Sequence, residues 1–398
     1  MDCSILLRTL IPACLLSIPC LTMAAITVVS RDVSYTVDLA KEQEPAPAAA
    51  PAQEQAPAPK NLIDVPYGDG QEILYAGDIY KEPGAPRELQ TALVSAAQMD
   101  TLEGFMNWKI WYRISPDEGK TWDAWRPVVQ QGPEYSPMHP IRPVQVGKNG
   151  FCVSTVPPFH ASNGEVMVPF YFPPLDENGV YYNPMKAFTF SDGGVLIGRW
   201  TEDGKDITWD LGQTVRLEGN QSTRGVDEPA VMELKAPGTF LMVIRGSNDG
   251  HPETPSYKWK CVSRDFCRTW SAPEPFGYSD GTPFFSPAAC SALIRSSRTG
   301  KLYWIGNICT QNANSNSPRY PLVIGEVDEG KLGLIRESVV VIDDRNPEKD
   351  TEQMQLSNFS ATEEAETGRF VVKLYRIDPG IDGWEKAKPP GRYVIAVE

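Results

Sequence analysis

The residues Ser-Pro-Asp-Glu-Gly-Lys-Thr-Trp at 115–122 and Ser-Arg-Asp-Phe-Cys-Arg-Thr-Trp at 263–270 are two copies of one pattern, S-x-D-x-G-x-T-W, with cysteine replacing glycine in the second. A looser third copy runs from Thr201 to Trp209 with one extra residue. In such a pattern the aspartate accepts backbone N–H groups, glycine tolerates positive φ, and tryptophan packs beneath a hairpin. The pattern predicts a turn between two antiparallel strands at the outer edge of a sheet.

The segments around these repeats have the composition of short strands. Runs rich in valine, isoleucine and aromatic residues recur, bounded by glycine, proline, asparagine or aspartate, and this is typical of β-structure. Examples are NWKIWYRIS at 107–115, TFLMVIR at 239–245 and FVVKLYR at 370–376. Recurrent short strands with a repeated turn predict an all-β propeller.

The distribution of the strands predicts six blades. They cover residues 70–100, the segment up to the repeat at 115–122, and then 139–209, 228–270, 286–345 and 356–398. A strand near the N-terminus is expected to close the ring. A jelly roll or a pair of β-sandwich domains is the alternative architecture.

The repeats resemble the Asp-box, or BNR, repeats of the sialidase superfamily. This resemblance implies a six-bladed, sialidase-like β-propeller with its chemistry at the central axis, where the innermost strands begin. It also implies a glutamate base paired with a tyrosine nucleophile, and a triad of arginines that binds the substrate carboxylate.

The predicted fourth blade carries the strongest candidates for these roles. On the resemblance, Glu228 is the base and Arg245, which ends the following strand, binds the carboxylate, with Asp227 beside them. Arg319, in the polar loop at 312–319, is the second arginine. Guanidinium groups match carboxylates bidentately, and a carboxylate activates a neighbouring hydroxyl. The alternatives are that Glu228 and Arg245 only pair with each other and that Arg319 is a solvated turn residue.

Two elements of the family pattern are missing. Leu356 or Phe359 stands where the tyrosine nucleophile is expected, with Asn358 between them as a candidate substrate-binding residue. The Arg-Ile-Pro motif of the first inner strand is also absent, and only Arg87 lies near that position. Hydrolysis by the tyrosine mechanism is therefore in doubt on the sequence.

Other groups are candidates to replace the missing ones. His139 and His160 fall on one predicted blade, and imidazole titrates near neutral pH, so each is a candidate acid or base. Arg142 would join the other arginines around a uronate-like carboxylate, and Asp280 follows Tyr278 before the fifth blade. The alternatives are structural hydrogen-bonding histidines and a plain turn at Asp280.

Charge and motifs exclude several function classes. The formal net charge of −14 argues against nucleic acid and anionic membrane surfaces as partners. The sequence contains no phosphate-binding loop, dinucleotide fingerprint, HExxH pair or calcium loop, so we expect neither a cofactor nor a metal. Five cysteines follow the N-terminal segment, an odd number that leaves at least one free thiol within a single chain.

The N-terminal segment is predicted to be an export signal followed by a linker. Residues 1–24 combine Arg8 with an apolar run at 10–21 and a small-residue cleavage site, which predicts a signal peptide and a secreted or periplasmic protein without a transmembrane span in its mature chain. A lipid anchor at Cys20 or a retained membrane anchor is the alternative. Residues 25–60, rich in proline, alanine and glutamate, are predicted to be a disordered linker before a propeller domain at 61–398.

These observations favour a secreted, sialidase-like glycoside hydrolase that cleaves a glycosidic bond of an acidic sugar at the propeller axis. A catalytically inactive carbohydrate-binding propeller and a uronate-sugar lyase are the alternatives. An interaction protein of the cell envelope that uses the rim of the propeller is a further one. Fold alone does not decide among them.

Overall fold

The computed structural model describes residues 25–32, 72–81, 84–95, 102–381, 383 and 390–398. In these residues five antiparallel sheets follow one another along the chain and form a β-propeller, which confirms the all-β prediction. A short α-helix, α1 (Leu102–Asn107), and a 3-10 helix (Arg336–Ser338) accompany the sheets. Among the helices of this part of the chain, none has the length and apolar character needed to span a membrane.

The strands are numbered in chain order. The first sheet contains β2 (Glu72–Lys81), β3 (Glu88–Ser95), β4 (Lys109–Ser115) and β5 (Arg126–Pro127). The second contains β6 (Cys152–Val153), β7 (Phe159–His160), β8 (Val166–Phe172), β9 (Asp192–Trp200) and β10 (Ile207–Leu211). The third contains β11 (Asp227–Glu233), β12 (Phe240–Arg245), β13 (Lys258–Ser263) and β14 (Glu274–Phe276). The fourth contains β15 (Ala292–Arg295), β16 (Leu302–Asn307), β17 (Leu322–Asp328), β18 (Gly333–Leu334) and β19 (Val340–Asp343). The fifth contains β20 (Gln355–Glu364), β21 (Arg369–Ile377), β22 (Gly391–Val397) and the N-terminal β1 (Ile26–Asp32).

The number of blades differs from the prediction of six. The described residues form five sheets, because the first two predicted blades are one sheet in which β2 pairs with β3 and β3 pairs with β4. A strand's composition does not distinguish a hairpin within one sheet from a connection between two sheets. The sequence between β3 and β4 therefore did not indicate that the two strands belong to one sheet.

The last sheet is completed by the N-terminal strand. β1 pairs antiparallel with β22, with Ile26 opposite Val397 and Asp32 opposite Arg392. The seven residues of β1 were placed in the linker by the sequence analysis, but they belong to this sheet. The remainder of that linker and the predicted signal peptide at 1–24 lie outside the described residues.

The repeated pattern forms the same turn in both of its close copies. The Asp117 carboxylate accepts hydrogen bonds from the backbone N–H and hydroxyl of Thr121, and Asp265 accepts the same bonds from Thr269. Cys267, at the glycine position, has φ of 63°, so the turn imposes the left-handed conformation that glycine adopts most readily. The three copies join β4 to β5, β9 to β10 and β13 to β14, at the outer edges of three sheets.

The core is divided among the spaces between successive sheets. Along β12, Phe240, Met242 and Ile244 point into the cluster shared with the second sheet. Leu241 and Val243 point into the cluster shared with the fourth sheet. Alternation of side chains along a strand sends neighbours to opposite faces, and here both faces are buried. This packing fixes the ends of β11 and β12, where the charged candidates lie.

Candidate functional site

The start of β11 is irregular, and this irregularity positions its two carboxylates. Asp227 lies opposite Arg245, whereas the next paired residues are Ala230 and Val243, so β11 carries one extra residue against β12. Glu228, in this bulge, has φ of 41°, a conformation that is uncommon for residues other than glycine. Bulges re-aim side chains, and this one directs Glu228 towards Arg245 at the end of β12.

These residues line a cavity of about 130 Å³ at one end of the sheets. One part of its wall is apolar and aromatic, and the other part is charged. The lining residues are Leu102, Phe105, Trp108, Tyr171, Phe188, Thr189, Arg224, Asp227, Glu228 and Arg245. An apolar wall with a few convergent polar groups is the lining that is typical of a ligand site.

Glu228 and Arg245 form a close ion pair. The distance between Arg245 Nη1 and Glu228 Oε2 is 2.6 Å, and the side chains are 12% and 19% exposed, respectively. Burial by itself raises the pKa of Glu228, but the positive charges of Arg245, Arg319 and Arg224 outweigh it and hold the pKa below its usual value. Glu228 is therefore an ionised carboxylate that can accept a proton.

Arg224 brings a further guanidinium group to the cavity. Its Nη2 lies 3.3 Å from Asp227 Oδ2, and its Nε donates a hydrogen bond of 3.0 Å to Thr189 Oγ1. The guanidinium also lies 6.0 Å from the ring centre of Phe188, whose side chain is 65% exposed at the rim of the cavity. Arg224 therefore lies where a ligand in the cavity would meet it.

Arg319 lies behind this cavity and does not line it. Its Nε and Nη2 donate hydrogen bonds to the Ala288 carbonyl at 3.1 and 2.6 Å, and Nη2 also donates to Asn316 Oδ1 at 2.8 Å. Burial, together with the positive charge of Arg245, lowers the pKa of Arg319 to about 10. The charge of Arg319 contributes to the lowered pKa of Glu228, and its expected role in binding the substrate carboxylate stays a prediction.

The site holds more positive than negative charge. Arg224 is matched by Asp227 and Arg245 by Glu228. Arg319 and the fully buried Lys258 have hydrogen-bond acceptors that are carbonyl and amide oxygens and not carboxylates. Desolvated charge is unfavourable unless it is compensated. The surplus therefore favours an anionic ligand, despite the net charge of −14 for the whole chain.

Tyr171 supplies a phenol to the same cavity. It lies on β8 opposite Cys152, and its ring packs edge-on against Trp108 at 6.5 Å. Burial, with the charges of Cys152, Glu228 and Asp227, raises the pKa of Tyr171 well above its usual value. The structure thus brings a protonated tyrosine and an ionised glutamate to one cavity.

The last sheet does not bring a tyrosine to the position expected from the resemblance. Leu356 is fully buried in the core between the fourth and fifth sheets, and Phe359 lines a second, larger cavity of about 340 Å³. Asn358 is exposed on β20 opposite Tyr375, and its Oδ1 accepts a hydrogen bond of 3.3 Å from Ser357 Oγ. None of these three residues lines the cavity of Glu228 and Arg245.

The two histidines lie elsewhere, in local contacts. His139 Nδ1 is 2.7 Å from the Val144 carbonyl oxygen, and its ring stacks on Tyr135 at 5.5 Å. His160 stacks on Tyr80 at 5.9 Å and pairs through its backbone with β8. Neither lines the cavity that contains Glu228.

Arg142 and Asp280 also lie away from this cavity. Arg142 lines a separate cavity together with Arg268. Asp280 is in a turn, 3.1 Å from Arg336 Nη2, and hydrogen bonds from Thr282 and the charge of Arg336 lower the pKa of its carboxyl to about 2. The structure thus brings together Asp227, Glu228 and Arg245 with Arg319 behind them, and it separates the other candidates from them.

The described residues contain no disulfide and no group of side chains placed to bind a metal ion. The five cysteines of the described chain are free thiols: Cys152, Cys261, Cys267, Cys290 and Cys309. Within the described ranges, no group of three histidine, cysteine, aspartate or glutamate side chains is placed to hold a metal ion.

Three residues of the site were missed on the sequence, although two carried a signal. Arg224 stands four residues before Glu228, and Lys258, like Lys260, alternates with apolar residues in the run YKWKCVS. A lysine inside a buried strand usually marks a specific partner. Tyr171 carried no such signal, because in EVMVPFYF at 165–172 it resembles any aromatic strand residue.

The fold is that of the sialidases. The chain is similar in structure to a Hadza microbial sialidase, with 11% sequence identity, a TM-score of 0.50, and coverage of 81% of this chain and 52% of that one. It is also similar to the NanB sialidase of Streptococcus pneumoniae (16% identity, TM-score 0.47, coverage 72% and 35%). The sialidase of Trypanosoma rangeli gives 11% identity, a TM-score of 0.48, and coverage of 78% and 42%.

The similarity concerns the fold, since sequence identity is low throughout. The chain spans between about a third and about half of the length of these proteins. No family model matches the chain, and no curated protein sequence matches it.

Proposed function

We propose that this protein is a glycoside hydrolase that acts on an acidic sugar in the cavity lined by Glu228 and Arg245. The observation that carries the proposal is the surplus of buried positive charge. Arg224, Arg245 and Arg319 all act on the pKa of Glu228, and the cations outnumber the carboxylates around them. A sugar carboxylate is the ligand group that this arrangement matches, because guanidinium forks bind carboxylates through paired hydrogen bonds.

The residues of the cavity supply the parts of a substitution at the anomeric carbon. The Tyr171 hydroxyl attacks the anomeric carbon while its proton passes to Glu228, and the glycosidic bond breaks with its electron pair on the leaving oxygen. That oxygen takes a proton from solvent. Water then attacks the anomeric carbon of the glycosyl–tyrosine intermediate. Glu228 returns its proton to the Tyr171 oxygen and takes one from the water, and the sugar and Tyr171 are released. Before the first step, the lowered pKa of Glu228 keeps its carboxylate ionised and the raised pKa of Tyr171 keeps its phenol protonated, so the proton moves only as the bond to the anomeric carbon forms.

In this proposal the tyrosine comes from β8 in the second sheet. The family resemblance places it in the last sheet, where Leu356 is buried. The arginine of the first inner strand, which the sequence lacks, is replaced by Arg224 at the cavity wall. The site is thus assembled from the second, third and fourth sheets.

Carboxylate recognition is tested with matched aryl glycosides. An aryl sialoside, the methyl ester of the same sialoside, an aryl glucuronide and an aryl galactoside are offered to the wild type and to Arg245→Met. We expect the wild type to turn over an acidic glycoside and not the neutral one, and to turn over the methyl ester at least about a hundredfold more slowly than the acid. Arg245→Met should lose this turnover. Turnover of the ester or of the neutral galactoside at the same rate would contradict the proposal.

A second function is supported by the close Glu228–Arg245 pair. A carboxylate that is bound by an arginine can serve to position that arginine, and a propeller that binds an acidic glycan without cleaving it uses the same charges. Binding of the acidic glycosides with no release of the aryl group would favour this function. The lyase alternative finds less support, because neither His139 nor His160 lines the cavity.

We further propose that the protein acts outside the cytoplasm. The support is the apolar run at 10–21 followed by a small-residue cleavage site in the sequence. N-terminal sequencing of the protein from its native compartment tests this, with cleavage after Ala24 as the expected result.

A further inference from the structure

Lys258 is a buried ammonium group next to the site. It begins β13 directly opposite Arg245, the last residue of β12, and its side chain is fully buried. Its Nζ donates hydrogen bonds to the carbonyl oxygens of Pro287 at 3.0 Å and Ala289 at 2.5 Å. Buried lysines are rare unless they are paired, so two carbonyl acceptors in place of a carboxylate call for an explanation.

The two acceptors belong to a segment that also holds Arg319. The Ala288 carbonyl, which lies between them in the chain, accepts two hydrogen bonds from the Arg319 guanidinium. The next residue, Cys290, donates from Sγ to the Ser357 carbonyl at 2.8 Å. Three successive carbonyl groups are therefore held by Lys258 and Arg319. Lys258 fixes the segment that sets the position of Arg319.

The charges around Lys258 make its protonation sensitive to an anion. Burial and the positive charge of Arg245 lower its pKa to about 7, and Arg319 acts in the same direction. Cys290, before β15, and Glu228, on β11, act in the opposite direction. An anion bound against Arg245 adds to the effect of Glu228 and therefore raises the pKa of Lys258.

We propose that Lys258 is a positioning residue that couples anion binding in the cavity to the uptake of a proton. Its ammonium group holds residues 287–289 in place, this segment holds Arg319, and a ligand carboxylate among the arginines stabilises the protonated amine. By linkage, anion affinity is highest where Lys258 is protonated and falls as the pH rises above its pKa. The choice of ligand rests on the proposed function, whereas the position of Arg319 does not.

The positioning role is tested without any ligand. Hydrogen exchange at residues 286–290 is compared in the wild type, Lys258→Met and Lys260→Met. Lys260 is a matched control because it lies on the same strand, is also buried, and bonds the Leu332 carbonyl and Glu274 instead. We expect exchange to be about tenfold faster in Lys258→Met and unchanged in Lys260→Met. Unchanged exchange in a folded Lys258→Met would overturn the proposal.

The coupling is tested with N-acetylneuraminic acid as the probe. Calorimetric titrations in two buffers of different ionisation enthalpy measure proton uptake, and Kd is followed between about pH 6 and 8. For the wild type we expect proton uptake on binding and an affinity about tenfold weaker at the upper pH. Lys258→Met should bind without proton uptake or pH dependence, whereas Lys260→Met should match the wild type.

A variant with a permanent positive charge distinguishes the effect of the charge on affinity from the uptake of a proton. Lys258→Arg keeps a cation at every pH, so it should retain the higher affinity throughout the range and take up no proton. Proton uptake that persists in Lys258→Met or Lys258→Arg would overturn the coupling.

The two proposals fail in different ways. If the wild type binds no probe at any pH, the proposed function and the coupling both fail, while hydrogen exchange still decides the positioning role. If the wild type binds the probe with the same pH dependence as Lys258→Met, only the coupling fails.

Discussion

Glu165 and Glu228 are both bound by arginine, but their surroundings differ. Glu165 accepts hydrogen bonds of 2.7 Å from Arg199 Nε, Arg268 Nη2 and Asn163 Nδ2. Glu228 accepts a bond of 2.6 Å from Arg245, and Arg245 Nε is buried without a hydrogen-bond partner among the described residues. Glu165 ties the second sheet to a turn of the third, whereas Glu228 borders a cavity.

This difference distinguishes an ion pair that stabilises the fold from a group of charges that is open to a ligand. Three donors use the acceptor capacity of Glu165, and its two arginines are themselves partly exposed to solvent, so its position is fixed and its partners are hydrated. The Glu228 cluster keeps unused donors and surplus cations in a place where a ligand can enter. Buried polar groups without a full set of hydrogen-bond partners destabilise the folded state. They are typical of sites where a bound ligand supplies the missing partners.

The largest expected effect comes from exchanging the two glutamates for glutamine. Glu228→Gln should lower kcat on the acidic glycoside by about a thousandfold, since an amide cannot accept the proton. Glu165→Gln should leave kcat within about twofold and lower the free energy of unfolding by about 1–3 kcal/mol, because the acceptor of two arginines loses its negative charge. Steady-state kinetics and urea unfolding measure the two effects. Loss of activity in Glu165→Gln, at full folding, would remove the distinction.

The next effect concerns the phenol in the cavity. Tyr171→Phe should lower kcat by about a hundredfold or more, because the attacking oxygen is removed while the aromatic wall is kept. Tyr182→Phe is the control, since Tyr182 packs under the Arg216 guanidinium outside the cavity lining. If Tyr171→Phe keeps its activity, water is the attacking group and Tyr171 is only part of the wall.

A smaller effect is expected from the arginines of the two clusters. Arg319→Met should raise KM for the acidic glycoside about tenfold with a lesser change in kcat, because a cation behind the cavity is lost. Arg268→Met removes an arginine from the Glu165 cluster and should leave KM unchanged. Equal KM values for both variants would contradict a role of Arg319 in binding.

The unpaired buried lysine should also make stability depend on pH. The pKa of Lys258 in the folded chain, about 7, lies below its ordinary value of 10.5. Between these values the unfolded chain keeps a proton that the folded chain has lost, so the free energy of unfolding rises with pH. We expect the wild type to gain about 2 kcal/mol relative to Lys258→Met between about pH 7 and 9. A constant difference in urea unfolding across this range would contradict the prediction.

The smallest expected effect is at a residue that the sequence analysis selected and the structure places far from the cavity. Asp280→Asn removes the ion pair with Arg336 in an exposed turn. Exposed ion pairs contribute little, so kcat and KM should stay within experimental error of the wild type. A clear change in either would mean that the turn at 280 belongs to the site.

Much of the fold could be predicted from local pattern. The repeats at 115–122 and 263–270 identified turns whose aspartates bind the backbone as expected, and strand composition identified the all-β class. The number of blades could not be predicted, because pairing between β2, β3 and β4 depends on contacts that strand composition does not record. A strand near the N-terminus was expected to close the ring, and β1 pairs with β22 at the other end of the chain, but composition did not show that this strand lies within the predicted linker.

The sequence by itself determined that Asp227, Glu228 and Arg245 lie together. These residues are close in the chain and lie at the facing ends of β11 and β12, so a hairpin brings them together. Only the tertiary structure decided that Tyr171 and Lys258 join them, that Arg319 lies close to them without lining the cavity, and that His139, His160, Arg142 and Asp280 do not line it. The reason is physical: local hydrogen bonds and turns are encoded by neighbours, whereas meetings between sheets depend on how whole blades pack around the axis.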